Sequence, residues 1–243
     1  MTAVVLVHDD REYLRRPGEE LQTDLGVLTV PDDVSSGDVL ETHLGERFTV
    51  RRLRGPDLFH HFERTGAPML PRDIGLVIGE TGVAAGDRVL DCGTGTGVLA
   101  SYMGRLGAEV TSYERDPEFA EVARENVALA GVADRVEVRS GDLLDDLEAV
   151  EALSGFDVLT LDTGDAPRIV AHADSLLVPG GFLAVYSPFV ESTREVVEAA
   201  RETLSAVRTV ETIQRELDVD ARGTRPSTAP VGHTGYLTIA RRA

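Results

Sequence analysis

Apolar and polar positions split the 243-residue chain into two stretches of different character. The first stretch holds short runs of strand type. Val4–Val7 is apolar throughout, residues 21–30 contain Leu-Gly-Val-Leu-Thr-Val, and residues 38–44 and 47–53 alternate apolar with polar positions. Turn signals separate these runs: Arg16-Pro17-Gly18, Pro31-Asp32-Asp33, Ser35-Ser36-Gly37 and Leu44-Gly45-Glu46. The pattern predicts a small β-rich domain over residues 1–62 with little helix. Residues 56–86 read as a connection interrupted by Pro68 and Pro71, with a helix over residues 73–82.

From Asp87 onward the period alternates between two kinds of element. Strands are expected at 87–91, 108–114, 135–140, 156–162 and 181–187, and helices at 97–106, 116–130, about 142–152, 167–177 and 191–205. Runs such as Val158-Leu159-Thr160-Leu161 suit a parallel sheet covered on both faces. Two strand-like runs, about 207–217 and 234–240, close the chain as an antiparallel pair around a loop rich in Arg, Pro, Gly, Ser and Thr. Residues 63–243 are therefore expected to form one α/β domain.

Candidate chemistry starts at residues 88–98, Arg-Val-Leu-Asp-Cys-Gly-Thr-Gly-Thr-Gly-Val. A strand runs into Asp91, then Gly93, Gly95 and Gly97 alternate, and a helical pattern begins at Val98. This is the order of the first ligand loop in an open α/β sheet. The dinucleotide spacing G-x-G-x-x-G needs glycine at 98, where this chain has valine, and no Lys-Ser/Thr follows to make a P-loop. An ordinary glycine-rich turn is the alternative. The agreement of strand, acid, loop and helix favours a ligand site. Cys92 inside the loop is the chain's one cysteine, so no intramolecular disulfide can form.

Three further acids fall at expected strand ends. Glu114 follows the glycine loop by about twenty residues, where such folds bind ribose hydroxyls, which a carboxylate can accept from in pairs. Asp142 ends the third strand of the series and reads either as a ligand for an adenine amino group or as a helix N-cap. Asp162 ends the fourth, and reads as the group facing the reacting atoms or as a turn residue.

The loop Asp-x-Gly-x-Gly-x-Gly resembles motif I of the class I S-adenosylmethionine (SAM)-dependent methyltransferases. With the three acids placed, most of the chain resembles the tRNA adenine-N1 methyltransferases of the T-loop (position 57 or 58), in their archaeal and bacterial form. Thr111-Ser112-Tyr113-Glu114-Arg115, Glu121–Asn126, Leu177–Gly181 and Tyr186-Ser187-Pro188 match that family. So does the C-terminal Arg225-Pro226 followed by Val231-Gly232-His233-Thr234-Gly235-Tyr236-Leu237, a signature that generic methyltransferases lack. The resemblance implies a Rossmann-like, mostly parallel sheet with a C-terminal antiparallel hairpin, preceded by a small β domain that helps hold tRNA. It implies SAM as cofactor, contacted by Asp91, Gly93, Gly95, Thr96, Gly97, Val98, Leu99, Glu114, Phe119, Asp142 and Asp162. Asp162 would be the catalytic carboxylate. His233 and Arg225 would face the substrate, His233 having the alternative of a turn histidine satisfied locally. A homotetramer is the family's common assembly.

Two departures touch the base pocket. The family's Tyr-Pro-Lys-Asp is here Leu70-Pro71-Arg72-Asp73, and its Asp-x-Pro-x-Pro-Trp is here Asp162-Thr163-Gly164-Asp165-Ala166-Pro167. They keep open a methyltransferase acting on a protein carboxylate or small molecule, and a non-catalytic SAM-fold subunit that binds RNA.

Composition adds the setting. Forty-two acidic residues face 24 arginines and no lysine, for a formal net charge of −18. Such a surface repels itself at low ionic strength and suits a halophile. It argues against nucleic-acid binding in dilute salt. In concentrated salt, where counterion release contributes little, shape and hydrogen bonding carry RNA recognition instead. Arg51, Arg52, Arg54, Arg222 and Arg225 are the candidates for phosphate contacts. No secretion signal, membrane-length apolar run or metal-ligand spacing stands out, so a cytoplasmic enzyme without metal is expected.

Overall fold

The computed structural model describes residues 3–153, 155–229 and 232–243. Val231 of the C-terminal signature lies outside the described residues. The chain divides into two compact units, Met1–Pro71 with Thr94–Gly141, and Arg72–Gly93 with Asp142–Ala243.

The first unit opens with β1 (Val4–His8), β2 (Arg11–Arg15), β3 (Glu20–Thr23), β4 (Gly26–Thr29), β5 (Val39–Glu41), β6 (Arg47–Arg52) and α1 (Gly55–His61). Four of these strands form an antiparallel sheet of order β2-β1-β6-β5, and β3 pairs with β4. Their inward positions, Val4, Leu6, Leu21, Leu28, Val30, Phe48 and Val50, make one core. The apolar run at 21–30 is a hairpin rather than a single strand. Gly26 reverses it at φ +109°, where a Cβ would also lie 2.9 Å from Thr42 Oγ1. β2 carries too few apolar residues to show in the sequence, since one of its sides is a sheet edge. The connecting region contains α1, started by Asp57, which accepts a hydrogen bond from Arg54 N at 2.6 Å.

Next come α2 (Pro71–Thr81), β7 (Arg88–Cys92), α3 (Val98–Leu106), β8 (Glu109–Glu114), α4 (Pro117–Ala130) and β9 (Val136–Ser140). Then follow α5 (Leu147–Leu153), β10 (Phe156–Leu161), α6 (Ala166–Val170), α7 (Ala173–Leu176), β11 (Leu177–Ser187) and α8 (Val190–Thr203). The chain closes with β12 (Ser205–Glu211), β13 (Leu217–Asp220), β14 (Gly223–Pro226) and β15 (Tyr236–Arg241). In the first unit β8 and β9 run parallel. In the second the order is β12-β15-β11-β10-β7, parallel across β7, β10 and β11 and antiparallel at β15 and β12. The alternation of strand and helix matches the pattern read from the sequence, and so does the antiparallel C-terminal pair.

Three local differences have physical causes. The helix expected from about 142 starts at Leu147, because Asp142 folds a turn by accepting from Leu144 N at 2.9 Å. The helix expected at 167–177 is two short pieces, α6 and α7, separated at Ala171-His172. The C-terminal loop contains the β13–β14 hairpin, whose side chains are mostly exposed and so leave no apolar alternation to read. No described helix is long and apolar enough to cross a membrane.

Candidate active site

β7 and β10 are adjacent and parallel, so both release their chain at the same end. Asp162 N donates to Cys92 O at 2.9 Å, which locks the two exits together. Gly93, at φ +94°, sits so close that a Cβ would lie 2.1 Å from Asp162 O. Only glycine fits there, for sterics as well as backbone angle.

Two carboxylates meet at this exit. Asp91 is buried and accepts from Thr160 Oγ1 at 2.5 Å, across the paired strands. Asp162 is reachable by solvent, though protein surrounds it closely. Burial, and next the charge of Asp91, push its carboxyl up to about 7. A cation placed beside this pair would relieve both effects and restore the ionised form of Asp162.

The remainder of the glycine loop belongs to the first unit and is organised around Glu114. That carboxylate accepts from Gly95 N at 2.9 Å and from Asp116 N at 3.0 Å. Thr94 Oγ1 and Ser112 Oγ share a bond of 2.6 Å, and Asn126 Nδ2 donates to Thr96 O at 2.9 Å. Gly97 caps α3 at φ +74°, with Ala123 packed against it at 3.4 Å from a built Cβ. Val98 and Leu99 are buried at the start of α3, and Phe119 is exposed in the first turn of α4. Thr96 Oγ1 is buried and has no hydrogen-bond partner among the described residues. A buried hydroxyl without a partner inside a ligand loop is what a polar ligand would satisfy.

The C-terminal signature meets the start of α2 within the second unit. Arg72 Nη2 donates to Thr234 Oγ1 at 3.0 Å, and Thr234 Oγ1 donates to Asp73 Oδ2 at 3.1 Å. Asp73 is buried, which raises its carboxyl above the ordinary range despite the Thr234 bond and the Arg72 charge. Tyr186 lies at the carboxyl end of β11, near enough to Thr234, Asp73 and Asp162 for them to act on its phenol. Burial is the main reason that its phenol is raised. A Cβ on Gly235 would lie 2.4 Å from Tyr186 Cζ, so this glycine makes room for the ring.

The structure thus gathers Asp91, Gly93 and Asp162 at one exit, and ties Gly95 to Glu114, Thr96 to Asn126 and Gly97 to the start of α3. Asp142 serves its own turn through Leu144 N. His233 is exposed, with Nδ1 2.7 Å from Glu211 Oε1 and Nε2 3.0 Å from Pro188 O. The Pro188 carbonyl, then Glu211, raise its pKa. Arg225 lies on the β13–β14 hairpin, 3.5 Å from Asp218. Sequence reasoning assigned no role to Asp73 or Tyr186. A polar residue opening an apolar helix and a tyrosine ending a buried strand were the signals available.

Residues 84–222 match a family described as a methyltransferase domain. The tRNA (adenine(57)-N(1)/adenine(58)-N(1))-methyltransferase TrmI of Methanocaldococcus jannaschii is 32% identical, over 99% of this chain and 95% of its own length. This chain belongs to the TrmI family of methyltransferases. The tRNA (adenine(58)-N(1))-methyltransferase TrmI of Thermus thermophilus is 31% identical over 86% of this chain and 83% of its own. The TrmI structure from Aquifex aeolicus superposes with a TM-score of 0.75 at 22% identity, covering 99% of this chain and 96% of that one. A SAM-dependent O-methyltransferase from Thermotoga maritima superposes at 0.81 with 23% identity, covering 100% and 93%. At such identities the two superpositions establish the fold, a Rossmann-like methyltransferase sheet with a C-terminal antiparallel strand.

Proposed function

We propose that this TrmI-family chain transfers a methyl group from SAM to N1 of an adenine in the tRNA T-loop, at position 57 or 58. The observation that carries the reading is the end-to-end likeness to the M. jannaschii enzyme. The residues present fit the cofactor. The Asp91–Asp162 pair suits a cationic ligand, and the unsatisfied Thr96 hydroxyl and the Gly93–Gly97 main chain suit a polar one. In this reading Asp91, Gly93, Gly95, Thr96, Gly97, Val98 and Leu99 hold SAM along the loop. Glu114 holds its ribose, with Phe119 nearby, and Asp142 meets its adenine. When bound, SAM supplies an electrophilic methyl group beside a positive sulfur.

The chain's own residues supply alignment and charge. N1 of adenine already carries a free lone pair, so no base is required to create the nucleophile. Transfer places a positive charge on the target ring, and ionised Asp162 offsets it by accepting from the exocyclic amino group. The bonded set Arg72–Thr234–Asp73 fixes the signature segment whose Gly235 packs against the Tyr186 ring, and this narrows the place a base can occupy. His233 positions the signature segment through Glu211 and Pro188, and Arg225 faces the tRNA. The target base leaves its stack to reach this corner.

The domain boundary belongs to the same proposal: residues 1–62 as a small β-rich domain that helps hold tRNA, and residues 63–243 as the methyltransferase domain. The acid-rich, lysine-free composition supports a halophilic setting, and the family resemblance supports a homotetramer. Incubating unmodified tRNA transcript with SAM and the full chain in molar salt tests the function. Nuclease digestion and mass spectrometry should find 1-methyladenosine in the T-loop fragment. Its absence, with SAM bound and the chain folded, overturns the reading.

A further inference from the structure

Of the five arginines that stand out in the sequence as phosphate contacts, the structure separates Arg52 from Arg51, Arg222 and Arg225. Arg51 is taken up by Glu12 at 2.8 Å and Asp57 at 3.3 Å. Arg222 pairs with Asp220 at 2.9 Å, and Arg225 lies 3.5 Å from Asp218. Arg52 differs from these. Its guanidinium is exposed and makes no hydrogen bond or ion pair among the described residues, while its main-chain N–H donates to Ser36 Oγ at 3.2 Å.

Arg52 lines a cavity of about 490 Å³ that lies wholly within the first unit. Ser36, Leu53, Arg105, Val132, Asp134 and Arg135 share its walls. Arg135 is paired with Glu109 at 2.7 Å. Arg105 is half-buried and donates to two neutral carbonyls, Leu53 O at 2.9 Å and Ala130 O at 3.3 Å. Those bonds hold it in place without cancelling its charge. Burial, then the like charges of Arg52 and Arg54, lower its pKa. Asp57 contributes the smallest opposing effect, after Tyr102.

Three arginines, Arg52, Arg105 and Arg135, line the cavity against one acid, Asp134, and neither Arg52 nor Arg105 forms an ion pair among the described residues, so their like charges repel. An anion bound between Arg52 and Arg105 would relieve that repulsion. A guanidinium fork matches phosphate geometry, and the Ser36 hydroxyl, which accepts from Arg52 N, keeps its own proton to donate. The cavity volume falls within the range of small-ligand pockets, roughly 300–1,000 Å³.

We propose that the cavity between Arg52 and Arg105 is a phosphate-binding site, with Ser36 as a neutral donor, which takes a backbone phosphate of the tRNA substrate. The phosphate chemistry stands on the geometry of the first unit alone, and the tRNA source rests on the function proposed above. The site is separate from the glycine loop and from Asp162, so it contributes affinity and orientation and no chemistry.

The test uses the full chain as wild type, Arg52→Glu and Ser36→Ala. Arg201→Glu, an equal charge change on the exposed face of α8, is the control. Binding of unmodified tRNA transcript is measured over a salt series, and binding of pyrophosphate by calorimetry. Arg52→Glu should raise the tRNA Kd about tenfold beyond the control and flatten the log K against log salt slope by about one. It should also abolish pyrophosphate binding, with SAM affinity unchanged. Ser36→Ala should weaken pyrophosphate binding a few-fold. Normal tRNA methylation, with Arg52→Glu matching the control and no pyrophosphate bound by wild type, overturns the site and leaves the function standing. Arg52-dependent pyrophosphate binding without any tRNA binding keeps the site, assigns it to a free phosphate compound and overturns the tRNA reading.

Discussion

Around Glu114, charge is matched before any ligand arrives. Its carboxylate takes two main-chain N–H groups, and the loop it holds is built from glycines and short hydroxyl side chains. At the exit of β7 and β10 the reverse holds. Burial, and next the charge of nearby Asp91, disfavour the ionised form of Asp162, so its carboxyl is pushed up to about 7. The first arrangement suits a region that binds and stays still. In the second, a cation bound beside the two carboxylates would favour the ionised form of Asp162, so that binding and ionisation would be coupled. The contrast separates affinity from turnover, and variants on the two sides should fail in different ways.

The largest effect is expected where the two functions share one residue. Gly93→Ala drives a Cβ into the carbonyl of Asp162 and strains a backbone at φ +94°. Denaturant unfolding should show a loss of about 3 kcal/mol, and calorimetry should show no SAM binding. Unchanged stability would mean that the exit is not as tightly packed as described.

Asp162→Ala should then split the two properties. SAM affinity should stay within about tenfold of wild type, while turnover falls by roughly 10²–10³, the size of a lost charge-stabilising contact. Near-normal turnover would remove Asp162 from the chemistry. Its pH profile sharpens the point. The reactive form is ionised, so kcat/KM should rise with pH and level off above an apparent pKa near 7. Bound cationic SAM lowers that pKa, so the rise in kcat should fall at lower pH. Asp162→Asn should abolish both limbs.

The sign for stability is opposite. Asp162 titrates near 7 in the folded chain and near 3.8 unfolded, so between these values the folded state binds the extra proton. Its contribution to stability therefore declines as pH rises through that window. Asp162→Asn should flatten the decline.

On the matched side, Glu114→Gln keeps an oxygen for one main-chain donor and loses the charge. SAM affinity should drop about tenfold to a hundredfold with kcat at saturation little changed. A fall in kcat with unaltered affinity would reverse the assignment. The smallest effect is expected at Thr234→Val. It removes the donor to buried Asp73 and the acceptor for Arg72, costing about 1–3 kcal/mol in unfolding experiments. SAM affinity should be unaffected, while the KM for tRNA rises as the signature segment loosens around Tyr186.

Much of this was legible in the chain because its rules are local. The glycines at 93 and 97 occupy positive φ, which the sequence announces by their presence. Asp91, Glu114 and Asp162 end their strands where an α/β pattern sets ligands, and the alternation that located those strands depends only on which faces are covered. Elements with weak internal pattern were missed. β2 is an edge strand with polar side chains, α1 is seven residues capped by Asp57, and the β13–β14 hairpin is largely exposed. The split of α6 from α7 left no glycine or proline at the break to mark it.

The sequence by itself determined the fold class, the glycine loop and the strand-end positions of Asp91, Glu114 and Asp162, since hydrophobic period, backbone angle and strand-end position are properties of neighbouring residues. Tertiary structure decided what those groups experience. Asp162 near neutrality, Thr234 bonded to Asp73 beside Tyr186, and Arg52 with no side-chain partner among the described residues while Arg51 is paired all depend on residues tens to more than a hundred positions apart. Burial and Coulomb forces act through space, and a single chain reading has no measure of that distance.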